Sequence, residues 1–206
     1  MKKILIVFIG IIMATAAVAD DDCIAYKITP RITVTSPDWS KSVVQPLAHM
    51  DLMHGHVAAT LVDNYDLTAD ITPIEDGYCI ALKNVDAVIG YDDFTVSIDI
   101  SHTPGTCTYD AVIAHEDEHI RAYLSVIDDY RAQLHEAVAS ASSSIMPIFV
   151  RDVADMDAAV AKMNQELSEH PDLILVHQQI RAAQEIRNRR IDQNNTGDRL
   201  RQCENR

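Results

Sequence analysis

The 206-residue chain reads as an α+β protein: a small N-terminal antiparallel β-sheet, then a long helix carrying an HExxH pentad, then an antiparallel helical hairpin or bundle. Three observations predict this. The first half is rich in β-branched residues and broken by turn signals. From Thr108 to about Asp192 there is no Gly, and Pro147 and Pro171 are the only prolines. Between the halves, Pro104-Gly105 interrupts the chain just before a strongly periodic segment.

The first element is a secretory leader. Lys2 and Lys3 precede an apolar run over residues 4–16, and Ala17-Val18-Ala19 is a small-x-small cleavage pattern followed by three aspartates. The run is short for a membrane span, so cleavage after Ala19 and a periplasmic or secreted location are expected, with no stable membrane insertion afterwards. Residues 20–206 then form one domain, β-rich over 20–105 and helical over 106–206. Net charge is −14, and the leader holds two of the 17 basic residues, so the mature chain is more acidic still. That balance argues against nucleic acid and anionic membrane surfaces as partners. Four cysteines in an exported chain predict two disulfides. Cys23–Cys79 and Cys107–Cys203 are the favoured pairing, and the lack of CxxC spacing argues against a cysteine zinc site.

Phe94, Val96, Ile98 and Ile100 alternate with polar residues, as in a half-buried strand. Residues 78–82 and 85–89 predict two more strands joined by a Lys83-Asn84 turn. Residues 31–35 and 67–71 are weaker strands. His49, His54 and His56 fall in a polar loop ahead of the strands from residue 67 on, a feature that can bind copper or zinc at a surface or line a cleft.

From Thr108 or Asp110 a helix begins, with Tyr109, Ile113, Ile120, Tyr123, Ile127, Tyr130, Leu134 and Val138 recurring at three and four residues. Residues 140–144, a polar-small run, read as a loop after it. A second helix is expected near 152–169 and a third near 172–191.

One position of the first helix's apolar stripe is Glu116. Its neighbours His115 and His119 are four apart, so both project from one face. Chance yields roughly 0.015 HExxH matches in such a composition, and a carboxylate on a core-facing stripe is costly without a partner. The pattern predicts a zinc site in which His115 and His119 are ligands. The metal would lower the pKa of a water toward about 7, and Glu116 would act as general base in peptide hydrolysis. The substrate would be a peptide or protein.

A third ligand is needed. The spacing HExxHxxGxxH fails, because Ser125 holds the last place. Glu136 lies about 25 Å beyond His119 on an unbroken helix. A second helix running back along the first would bring Glu166 and Glu169, with His170 behind them, level with the metal. If the second and third segments form one rod, Glu185 or Asp192 comes nearer. A di-iron site is excluded because no second Glu-x-x-His occurs. The alternative to an enzyme is a periplasmic binding or adaptor protein with a structural metal or none.

The stretch 105–119, with Cys107 just before the pentad, resembles uncharacterised bacterial exported proteins of the group described as secreted zinc-dependent proteases, which are zincin-like. Arg190-Ile191-Asp192 followed by Cys203, and the histidine-bearing loop 49–56, share the resemblance. It implies zinc at His115 and His119, catalysis by Glu116, and Asp192 as a third ligand or structural residue. The group's tail often continues to Thr-x-His-Gly, whereas Asn195-Thr196-Gly197 lacks the histidine.

Overall fold

A computed structural model describes residues 20–45 and 54–204; the expected leader and His49 lie outside the described residues. The sheet is organised by one long strand. After a 3-10 turn at Asp20–Tyr26 come β1 (Arg31–Thr35) and β2 (Ser40–Val44), then β3 (Gly55–Ile74) and β4 (Gly77–Ile98). β3 and β4 form an antiparallel hairpin, with Ile74 opposite Gly77 and Gly55 opposite Ile98. The other edge of β4 takes three short strands end to end. These are β5 (Ile148–Val150), antiparallel, and then β1 and β2, both parallel to β4.

The sheet is therefore mixed, not the antiparallel sheet expected. Alternation reports that one face is buried but not which way a partner runs. Parallel pairing needs a long crossover. The whole of β3 supplies it, leaving β1 and β2 free to lie along β4 in its own direction. Lys83-Asn84 is likewise no turn: β4 passes straight through it. Thr68 pairs with Asn84 and Ala69 with Leu82, so Lys83 is the extra residue of a β-bulge. Its ammonium lies 3.4 Å from Asp70 of β3.

α1 (Cys107–Ser144) starts where Thr106 accepts a hydrogen bond from the Tyr109 N–H. It continues through residues 140–144, expected to be a loop. Ser142 and Ser144 donate to the Val138 and Ala141 carbonyls at 2.6 and 2.7 Å, so the serines satisfy themselves within the helix. Ile120, Ile127, Leu134 and Val138 of α1 share one core with Ile80, Val85, Ile89 and Val96 of β4.

The return helix is not the expected one. α2 (Met156–Ser168) is short, burying only Ala159, Met163 and Leu167, and it packs mainly by the sheet. The antiparallel partner of α1 is α3 (Pro171–Glu204), which opens on Pro171. Three ties hold the pair: Ser140 to Asp172 at one end (2.6 Å), Arg187 to Ser125 (2.5 Å) and Asp129 midway, and the Cys107–Cys203 disulfide at the other end. Cys23–Cys79 anchors the N-terminal turn to β4. Both bridges match the favoured pairing and are compatible with an exported protein. Among the described residues no helix is long and apolar enough to cross a membrane.

Cys107–Cys203 closes a 96-residue separation. The double variant Cys107→Ser/Cys203→Ser is expected to lose about 3–5 kcal/mol of stability in urea unfolding. A loss below about 1 kcal/mol would show that the α1–α3 pairing holds without it.

Candidate metal centre

α1 carries His115, Glu116 and His119 two to three turns from its N-terminus, and all three are buried. The i,i+4 spacing brings the imidazoles into an edge-to-face pair with ring centroids 4.8 Å apart. α3 passes on the histidine side and contributes Asp192. Three atoms converge: His115 Nε2 and His119 Nε2 are 3.2 Å apart, and Asp192 Oδ1 lies 3.4 Å from the first and 3.0 Å from the second. Ligands bound at 2.0–2.1 Å around a tetrahedral ion are separated by about 3.3 Å. The triangle thus has the dimensions of one tetrahedral face.

The proton inventory also fits a cation. His119 Nδ1 lies 3.1 Å from Asn188 Oδ1. That oxygen can only accept, so Nδ1 carries the hydrogen and Nε2 of the neutral ring presents a lone pair. Asp192 Oδ1 presents another at 3.0 Å. Two lone pairs at that distance repel unless a proton or a metal ion lies between them. Burial holds the His115 imidazole below its ordinary pKa and His119 adds to this, while Asp192 opposes it; a neutral ring is the form that ligates.

Glu116 is 3 % exposed. Burial raises its carboxyl from 4.5 to about 7; His119 opposes the rise, and Asp192 and Asp117 add to it. β3 crosses directly over this carboxylate at Gly55. A Cβ there would stand 2.6 Å from Glu116 Oε1 and 2.7 Å from Val112 Cγ1. Glycine is what admits the strand so close. A cavity of about 240 Å³ opens beside the three donor atoms, bounded by Gly55, His56 and Val57 of β3, Tyr123 of α1, and Asn188.

The other expected ligands are elsewhere. Because α2 is short and stands apart from the histidines, Glu166 faces Lys162 at 3.8 Å, and Glu169 accepts from Gln165 at 2.9 Å. His170 lies 3.8 Å from Asp172, and Glu185 pairs with Arg189 on the outer side of α3. Of the histidines expected in a loop, His54 Nδ1 meets His102 Nε2 at 3.1 Å and is no part of the three-atom face, while His56 lies in β3 and borders the cavity. Asn188 and Gly55 were missed. Asn188 stands one turn before Asp192, a spacing that could have flagged it; Gly55 leaves no signal until the strand's path is known.

Two outcomes follow. For Glu116, a folded pKa above the unfolded one means that its contribution to stability is whole below pH 4.5 and is lost as pH rises through about 7. Metal-free Glu116→Gln should therefore match the wild type near pH 4.5 and exceed it by about 3 kcal/mol at pH 8. Equal stability at pH 8 would contradict the cost of burying this carboxylate. Gly55→Ala should displace the Glu116 carboxylate and cost about 1–3 kcal/mol, read by thermal melting.

The chain matches no protein-family model, no curated protein and no solved structure.

Proposed function

We propose that the protein is an exported zinc-dependent metallopeptidase, with His115, His119 and Asp192 as ligands and Glu116 as general base. The observation that carries this reading is the three-atom face of two imidazole nitrogens and one carboxylate oxygen with a cavity on its open side. Two nitrogens and an oxygen suit zinc among the common divalent ions. A zinc ion held there supplies Lewis acidity, acidifying a water and polarising a peptide carbonyl.

The chain's own residues account for the remaining steps. Glu116 borders the same cavity without belonging to the ligand face. A carboxylate with a pKa near neutrality takes a proton from water and returns it to a leaving amine more readily than an ordinary glutamate does. Asn188 holds the His119 tautomer. Gly55 and Val112 confine the Glu116 carboxylate. Asp192, 60 % exposed, leaves the face open toward solvent, which suits a catalytic rather than a closed structural site.

The test combines metal content with peptidase activity on the purified protein. One zinc per chain is expected. Glu116→Gln should keep the zinc and lose roughly 10²–10⁴ in kcat. Asp192→Ala should lose the zinc, and Asn188→Ala should weaken its binding about 10–100-fold. Peptidase activity undiminished in Glu116→Gln would remove the catalytic claim. Zinc held with unchanged affinity by Asp192→Ala would remove the ligand assignment.

A further inference from the structure

α3 carries a second stripe besides its apolar one. His177, Arg181, Gln184, Asn188 and Asp192 recur at four, three, four and four residues, one continuous helical face. Asp192 and Asn188 belong to the metal centre. The other three border a separate cavity of about 430 Å³, whose far wall is β3 from Ala59 to Asp63. Tyr123 borders both cavities, so they are neighbours along one cleft between β3 and α3.

This second cavity holds polar groups that the fold leaves unused. His177 and Gln184 are both more than nine-tenths buried. Tyr91 donates to Gln184 Oε1, which leaves Gln184 Nε2 as a buried donor with no hydrogen-bond partner; His177 Nε2 has none either. Buried polar atoms without partners are costly and rare in folded proteins. Arg181 is exposed at the mouth, close enough to influence both His177 and Tyr91. Asp63, half exposed, is the opposing charge, 3.7 Å from His177 Nδ1. A guanidinium beside a free amide N–H₂ calls for an oxyanion with two acceptors.

The distance sets the register. Gln184 stands eight residues before Asp192, about 12 Å along the helix. An extended peptide advances about 3.3 Å per residue, so that distance is three to four residues. Among the described residues β3 pairs only with β4, so its outer edge is free to accompany such a chain.

We propose that the cavity lined by His177, Arg181 and Gln184 is a subsite for a carboxylate-bearing side chain, Asp or Glu, of a peptide whose bond at the metal centre lies three to four residues away. This rests on the peptidase reading for the position of the bond, but the binding preference is measurable by itself.

The experiment uses the full chain with zinc and Glu116→Gln, so that no cleavage intervenes. Fluorescence anisotropy is read with labelled decapeptides identical but for one Glu, Gln or Lys moved along the sequence. At one register Glu should bind about tenfold tighter than Lys. Arg181→Ala should reduce that preference to within about twofold. Gln184→Glu, which replaces the donor by an acceptor, should turn it toward Lys; should that variant fail to fold, the exposed Arg181 decides alone. No register with a Glu preference, or a preference that survives Arg181→Ala, overturns the subsite. Selective binding that depends on Arg181, in a wild-type protein that cleaves none of these peptides, supports the subsite and sinks the peptidase reading alone.

Discussion

Everything at the centre depends on α3 lying antiparallel to α1 in one register. The two histidines come from a single helix and need no tertiary help to face each other. Asp192 is 73 positions beyond His119, and only the alignment of two long helices brings its carboxylate to 3.0 Å. That alignment is over-determined. A covalent bridge fixes the end near the candidate metal centre, Arg187 spans the middle through Ser125 and Asp129, and Ser140 meets Asp172 at the far end. A slip of one helical turn would move Asp192 about 5.4 Å, beyond any shared ion.

The same register serves a second purpose. It sets a polar stripe of α3 opposite β3, whose outer edge is unpaired among the described residues, leaving a cleft between them. Burial on the sheet side of α1 then falls on Glu116, under Gly55. A buried carboxyl near neutrality and a converging triangle of donors are both expensive in a metal-free fold. Their coincidence, rather than either alone, motivates the proposed chemistry.

Much of this was legible in the chain. The period of α1 located the pentad on a helix and placed Glu116 on the stripe. β1 has the bounds that its apolar residues marked, and the alternation from Phe94 to Ile98 survives in the burial of β4. Asp192 stood among four candidates because the return path was open. What stayed hidden was non-local. The direction of β1 and β2 is set by where β3 lies, which no strand's own residues encode. Lys83 has the polarity of a turn residue, yet it sits in a bulge inside a strand, where only its cross-strand partner distinguishes the two. The serines at 140–144 resemble a loop until their bonds to the preceding turn are seen. The choice of α3 over α2 as return helix then decided against Glu166 and Glu169, since the longer helix alone has the reach.

The most direct measurement is the extended X-ray absorption fine structure above the zinc edge of the zinc-loaded protein. The expected first shell is four light atoms at about 2.0–2.1 Å, with outer scattering from two imidazoles and no sulfur. Asp192→Ala should retain no zinc to give it, and Glu166→Ala and Glu169→Ala should leave it unaltered. A shell with sulfur, a single imidazole, or a spectrum indifferent to Asp192 would contradict the account.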